Sequence, residues 1–135
     1  MTETVQVKVA TEADVYVAAR QVKALARKLG FNEADQTRIE TVISELARNI
    51  VLYAGEGVIE VQVVTKGKRQ GFKIQALDHG PGIADIEQAM KDGYTTSGGL
   101  GSGLGGAKRM MDAFHIESAP GRGTKVTVFK WLRGQ

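Results

Sequence analysis

A glycine-dense stretch lies in the C-terminal half of this 135-residue chain and reads Gly93-Tyr94-Thr95-Thr96-Ser97-Gly98-Gly99-Leu100-Gly101-Ser102-Gly103-Leu104-Gly105-Gly106. Seven of these fourteen residues are glycine, out of seventeen in the whole sequence. Glycine loses much conformational freedom on folding, so this density is costly unless backbone must approach a ligand or must move. Freed backbone N–H groups can surround a phosphate, and a following helix N-terminus adds its positive dipole end. The stretch therefore predicts a phosphate-binding loop, with an unliganded surface loop as the alternative.

Two common phosphate-binding motifs do not account for this stretch. A Walker A loop needs lysine directly after its last glycine, but Ala107 separates Gly106 from Lys108. The segment 101–106 has the form G-x-G-x-x-G, yet a dinucleotide-binding unit needs a strand directly before it and an acidic residue about 20 positions later. The sequence 94–99 is no strand, and residues 121–123 carry no acid. Further motifs must therefore decide the class of site.

Hydrophobic periodicity outward from the glycine-rich stretch predicts the other elements. Alternating valines predict a first strand at Val5–Val9, Thr11 is a candidate N-cap, and Gly30 ends a first helix. The remaining predicted elements are a helix from about 32 to 53, strands at 58–64 and 71–77, a short helix at 84–91, a helix at about 104–114, and strands at 114–118 and 125–132. This order predicts one domain over residues 1–135, an α+β two-layer sandwich whose mostly antiparallel mixed sheet has helices on one face.

Composition excludes several classes of protein. The chain has no cysteine and only His79 and His115, so disulfides, thiolate chemistry and His/Cys metal sites are not expected. The N-terminus lacks an export signal and no apolar run approaches about 18 residues, so a cytoplasmic location without a membrane partner is expected. The net charge of +3 comes from basic residues spread among acids with few aromatics, which does not favour nucleic-acid binding.

Three short motifs flank the glycine-rich stretch. Glu45 and Asn49 are four residues apart on the predicted second helix, which puts two hard oxygen donors on one face, suited to magnesium or an activated hydroxyl. Asp78-His79-Gly80-Pro81-Gly82 follows a strand, where the carboxylate can accept from an amine and both glycines admit a ligand close to backbone. Gly123-Thr124 enters the last strand. Each motif alone has an ordinary explanation: a surface pair, a tight turn and a hairpin turn.

In this order the motifs resemble the N, G1, G2 and G3 boxes of the GHKL superfamily, whose Bergerat fold occurs in histidine kinases, type II topoisomerases, Hsp90 and MutL. The resemblance spans about residues 40–125. The whole chain is also similar to one branch, the small serine kinases that switch bacterial sigma-factor pathways, of the RsbT switch-kinase type of the stressosome and related to the anti-sigma factor kinases. That closer likeness lies in residues 44–49, 92–101 and 130–134.

The resemblance implies ATP and Mg²⁺ as cofactors. Asn49 would bind the magnesium that bridges the phosphates, and Glu45 would be the general base toward the attacking hydroxyl. Asp78 resembles the aspartate that accepts from the adenine amino group. The other implied nucleotide-binding residues are Gly80 and Gly82 beside adenine, Thr124 through its hydroxyl and water, Gly101, Gly103 and Gly105 through lid N–H groups, and Leu104 at the helix start.

The glycine-rich stretch departs from the related anti-sigma kinases at one point. Those proteins carry an arginine in the lid, whereas no basic residue lies between Asp92 and Ala107. Lys108, Arg48 or a partner would then have to neutralise the γ-phosphate.

The resemblance implies a serine/threonine protein kinase that phosphorylates STAS-domain antagonist and scaffold proteins. Once released, it would bind and activate a PP2C-type phosphatase. An ATP-gated protein-binding switch without phosphotransfer is the second hypothesis, and a histidine-kinase catalytic fragment is a third. Glu45 favours the kinase, because binding alone needs no base.

Overall fold

Five strands and three helices occupy the described parts of the chain, residues 4–83, 90 and 103–133 of a computed structural model. In chain order they are β1 (Thr4–Val9), α1 (Glu12–Leu29), α2 (Glu33–Ala54), β2 (Gly57–Lys66), β3 (Arg69–Asp78), α3 (Gly103–Met110), β4 (Ala113–Ser118) and β5 (Thr124–Trp131). Apart from residue 90, the predicted short helix at 84–91 lies outside the described residues, as do the lid residues before 103.

The strands form one sheet in the order β1-β2-β3-β5-β4, and every pairing between described strands is antiparallel. Side chains alternate across a sheet, so Phe72, Ile74 and Ala76 share one face of β3, and all three are buried. Asp78 is two residues further on the same face. Directly opposed residues place it in a row that crosses all five strands: Val9, Gly57, Asp78, Thr124 and Ser118.

Both long helices begin and end at clear local signals. Thr11 accepts from the amide of Asp14 at 3.2 Å while the Asp14 carboxylate accepts from the amide of Thr11 at 3.0 Å, which is a reciprocal capping box. Gly30 ends α1 with φ of 113°, a left-handed conformation that favours glycine. Asn32 caps α2 by accepting from the amide of Asp35 at 2.8 Å. The cap expected at Thr11 and the stop expected at Gly30 are confirmed.

The hydrophobic core joins the helices to one face of the sheet. Val22 of α1, Ile43 of α2, Ile74 of β3 and Val128 of β5 are completely buried and belong to one contiguous cluster. This arrangement is the predicted two-layer α+β sandwich. Within the parts of the chain described above, no helix combines the length and apolarity that crossing a membrane requires.

The helix predicted to continue to Phe114 ends at Met110 instead, and this boundary prediction was wrong. The amide of Asp112 donates to the carbonyl of Phe129 at 2.9 Å, so the chain already pairs with β5 at that point. Its carboxylate accepts from the amide of Trp131 at 2.7 Å, and Lys130 Nζ donates to the Met110 carbonyl at 3.1 Å. These long-range bonds replace the next helical turn, whose apolar spacing alone suggested continuation.

Candidate functional site

The segment after β3 and the turn between β4 and β5 are joined at one edge of the sheet. The amide of Gly121 donates to the Pro81 carbonyl at 2.7 Å. The amide of Ile83 donates to Ser118 Oγ, also at 2.7 Å. Residues 79–83, the predicted adenine loop, therefore lie against residues 118–123, and two separate sequence motifs meet in one place.

Asp78 and Thr124 lie at the centre of this edge, directly opposite each other on β3 and β5. Opposed residues of an antiparallel pair share a face with their Cβ atoms about 5 Å apart. Asp78 Oδ1 accepts from the amide of Gly80 at 2.9 Å, which fixes the carboxylate at the start of the loop. Both side chains are half-buried. The predicted pair is thus brought together on the helix-facing side of the sheet.

Three glycines let backbone segments approach around Asp78. A Cβ on Gly82 would collide with the Ala119 carbonyl, and one on Gly123 would collide with the Asp78 carbonyl. Both residues also have positive φ, 83° and 74°. A Cβ on Gly80 would lie 2.6 Å from that of Ala54, in the last turn of α2. Glycine is required at these positions for packing as well as for any ligand.

Ser118 is a residue that the motifs did not identify. Its hydroxyl lies 2.9 Å from the Gly123 carbonyl, 2.8 Å from Thr124 Oγ1 and 2.7 Å from the amide of Ile83. One hydroxyl therefore ties the adenine loop, the hairpin turn and the threonine together. The signal that could have found it is hairpin register, because Ser118 lies opposite Thr124 across the turn.

Glu45 is a buried carboxylate on α2, with only 3% of its surface exposed. Its Oε1 lies 3.7 Å from Arg48 Nη1, whereas its Oε2 is the one buried side-chain oxygen or nitrogen without a hydrogen-bond partner in the described chain. Burial raises the pKa of Glu45 above its ordinary value, and the positive charge of Arg48 opposes that rise only in part. A buried carboxylate oxygen without a hydrogen-bond partner is costly, which calls for an explanation beyond packing.

Asn49 follows Glu45 by one helical turn and is half-buried. α2 reaches the adenine loop through its end, where Gly80 packs against Ala54. At 1.5 Å rise per residue, Asn49 and Glu45 lie about 7.5 and 13.5 Å back along the helix axis from Ala54. The predicted adenine loop therefore lies beside the C-terminal end of α2, and the predicted catalytic pair lies further back along the same helix.

α3 carries the described end of the glycine-rich stretch. It begins at Gly103, packs on α2, and buries Leu104 to 6% exposure together with Gly105. Gly101 and the rest of the predicted lid fall outside the described residues. Of the two cations considered for the γ-phosphate, Lys108 is exposed on α3, while Arg48 is half-buried and also lies 3.9 Å from Glu12.

Known proteins resemble this chain over most of its length. Residues 34–134 match the family model of the histidine kinase-, DNA gyrase B-, and HSP90-like ATPases. The chain is 54% identical to the serine/threonine-protein kinase RsbT of Bacillus subtilis (strain 168), across 94% of this chain and 96% of that protein. It is 32% identical to an anti-sigma F factor of Thermoanaerobacter sp. (strain X514), across 82% and 80% of the two chains. The NMR structure of the histidine kinase domain of the E. coli osmosensor EnvZ aligns with 98% of this chain and 90% of that chain, at 19% identity and a TM-score of 0.47.

Proposed function

Because this chain belongs to the histidine kinase-, DNA gyrase B-, and HSP90-like ATPases, and among them to the RsbT-like serine/threonine-protein kinases, we propose that it transfers the γ-phosphate of ATP to a serine or threonine hydroxyl of a partner protein. Family membership confirms the predicted superfamily and the predicted enzyme class. The observation that carries the proposed mechanism is the buried, unpartnered Oε2 of Glu45, one turn before Asn49.

Glu45 is suited to act as the general base. A serine hydroxyl is a poor nucleophile at neutral pH, so its proton must pass to a nearby acceptor as the oxygen attacks phosphorus. Glu45 Oε2 has a free lone pair, and a raised pKa makes that carboxylate a stronger proton acceptor. In the proposed step the hydroxyl proton goes to Glu45, the new O–P bond forms at the γ-phosphate, and ADP departs with the electrons of the broken bond.

The edge around Asp78 is suited to bind adenine. Asp78 Oδ1 is occupied by the amide of Gly80, which leaves Oδ2 to accept from the exocyclic amine of the base. Gly80 and Gly82 keep the neighbouring backbone free of side chains, so a flat ring can lie against it. Thr124 adds a hydroxyl on the same face of the sheet.

The residues also fit a phosphate group and its metal. No cluster of three or more His, Cys, Asp or Glu side chains that could hold a metal occurs in the described ranges, so magnesium would rely on Asn49 and on the phosphates themselves. When bound, magnesium would neutralise phosphate charge. Gly103, Leu104 and Gly105 at the start of α3 would offer backbone N–H groups, as Gly101 would before them.

STAS-domain antagonist and scaffold proteins are the proposed substrates, and a PP2C-type phosphatase is the proposed second partner. The support is similarity to a serine/threonine-protein kinase and to an anti-sigma F factor, both over four fifths of the chain or more. A cytoplasmic location is part of the same proposal.

Phosphotransfer can be tested directly with magnesium-ATP and a purified STAS-domain protein. We expect the wild-type chain to place acid-stable phosphate on serine or threonine, and Glu45→Gln to abolish transfer with little change in ATP affinity. Glu40→Gln is the matched control, because Glu40 lies on the same helix in a half-exposed pair with Lys23. Near-wild-type transfer by Glu45→Gln would refute the base assignment. ATP-dependent partner binding without any transfer would favour the binding-switch function instead.

A further inference from the structure

The hydroxyl of Ser118 meets three polar groups, and their donor and acceptor capacities fix its hydrogen. The Ile83 amide can only donate, and the Gly123 carbonyl can only accept. Ser118 has one hydrogen, so it must donate that hydrogen to Gly123. The short contact between Ser118 Oγ and Thr124 Oγ1 is then a hydrogen bond only if Thr124 is the donor. All three contacts are satisfied by this arrangement alone.

Thr124 consequently has no hydrogen left for a ligand. The Thr124 hydroxyl therefore offers only lone pairs to a ligand group bound beside Asp78, which lies directly opposite it on β3. The Asp78 carboxylate is likewise an acceptor. Two acceptors side by side suit an amino group with two hydrogens, and they oppose a carbonyl oxygen at the same position.

We propose that Ser118 is a positioning residue for base selectivity: by taking the hydrogen of Thr124, it makes the base-binding edge acceptor-only and so selects 6-amino over 6-oxo purines. The inference rests on the adenine site proposed above. Ser118 itself lies on β4, behind Thr124 as seen from Asp78, and acts through its neighbour.

Binding of ATP and of inosine triphosphate tests this selectivity without relying on catalysis. Inosine triphosphate carries an oxo group where ATP carries the 6-amino group. It also carries a hydrogen on N1, which ATP lacks. In Ser118→Ala the hydroxyl of Thr124 is free to turn and donate to the 6-oxo group. We expect the preference for ATP over inosine triphosphate to narrow about fivefold or more, the ratio equivalent to one hydrogen bond.

Two further variants show whether hydroxyl polarity is responsible. Ser118→Thr keeps the hydroxyl on a strand that accepts β-branched residues, so it should retain the wild-type preference. Thr127→Val removes a hydroxyl from the opposite face of β5, where it contacts Gln75, and should leave both affinities unchanged.

Each outcome decides the inference. If Ser118→Ala weakens both nucleotides equally and keeps the preference, Ser118 is merely structural and the inference fails. If the wild-type chain binds neither nucleotide, the adenine site itself is wrong. If Ser118→Ala does not fold, Thr124→Val replaces it: loss of the second acceptor should weaken ATP more than inosine triphosphate, and an unchanged preference overturns the inference.

Discussion

Glu45 shows at the scale of one residue how burial can create reactivity. Water would keep the pKa of a glutamate near 4.3, but this carboxylate is 3% exposed and has one oxygen without a partner. Arg48 offsets the cost of burial from one side. Desolvation destabilises the charged form of Glu45 and so increases the affinity of its carboxylate for a proton. A general base uses that affinity, whereas a purely structural residue does not.

The pH dependence of transfer should follow Glu45. A base acts when deprotonated, so kcat/KM should rise with pH through the raised pKa of Glu45. In Arg48→Gln the positive charge that lowers this pKa is lost, so the acidic limb should move to higher pH. Arg20→Gln removes an equal charge from the exposed face of α1 and should not move it. An acidic limb at the same pH in Arg48→Gln would contradict the assignment.

Asp78 can be tested with a substitution that preserves the loop. In Asp78→Asn the side-chain oxygen can still accept from the amide of Gly80, so the fold should survive. The charged acceptor for the base amine is lost, and a hydrogen bond to a charged group contributes about 1.5–3 kcal/mol. ATP affinity by calorimetry should therefore fall at least tenfold, and unchanged affinity would rule out the adenine role.

At the scale of elements, the hairpin turn between β4 and β5 is shaped by close backbone contacts. Gly121 and Gly123 both have positive φ, 78° and 74°. A Cβ on Gly123 would meet the Asp78 carbonyl, whereas one on Gly121 would meet nothing within 4 Å. Substitution of Gly121 therefore tests only the cost of a left-handed backbone conformation. Substitution of Gly123 tests that cost together with the steric clash against Asp78.

Alanine at these two positions should destabilise the protein unequally. Gly121→Ala should cost about 1 kcal/mol for the left-handed conformation. Gly123→Ala should cost roughly 1–3 kcal/mol more, because β3 and β5 must separate beside Asp78. Urea unfolding of both variants measures the difference. Equal free energies of unfolding would mean that the contact with Asp78 is not tight.

At the scale of the whole molecule, an ionic cluster centred on the buried pair Lys130 and Asp35 lies at the opposite end of β5 from Thr124. Lys130 is 3% exposed, and its Nζ lies 3.5 Å from Asp35 Oδ1 and 3.8 Å from Asp112 Oδ1. Asp35 is also bound by Arg38 at 2.8 Å and Arg133 at 3.4 Å. The cluster joins the start of α2, the end of β5 and the turn after α3.

The cluster should make stability sensitive to acid. Burial raises the pKa of Asp35, but the hydrogen bond from Arg38 and the charges of Lys130 and Arg133 outweigh it, so the pKa is lowered overall. Because the pKa of Asp35 is lower in the folded state than in the unfolded state, its ionisation stabilises the fold. This stabilisation is complete above about pH 4, the pKa of an aspartate in the unfolded chain, and is lost as the pH falls further.

Lys130→Met should therefore lower the free energy of unfolding by about 1.5–3 kcal/mol at pH 7, because Asp35 loses its buried cationic partner but keeps Arg38 and Arg133. The difference from wild type should shrink as pH falls below 4 and Asp35 becomes protonated. Lys23→Met, which breaks the more exposed pair with Glu40, should cost less than about 1 kcal/mol. A pH-independent deficit in urea titrations would contradict the electrostatic explanation.

Signals within the sequence by themselves determined the fold class, the superfamily and the limits of α1. Caps such as Thr11 and Gly30 act through neighbouring backbone, and strand alternation reflects a local period, so both can be read without the rest of the chain. The order of Glu45, Asn49, Asp78 and Thr124 indicated the family, which the comparisons confirm. The roles of those four residues stay predictions.

Only the tertiary structure decided the end of α3, the contacts of Ser118 and the burial of Glu45. α3 stops because Asp112 pairs with β5, a partner distant in sequence. Ser118 contacts Thr124 because the register of the hairpin places the two residues opposite each other. Glu45 is shielded from water because the surrounding residues pack over it. Strand register and desolvation depend on which distant segments come into contact in the folded protein. The spacing of residues along the sequence does not reveal those contacts.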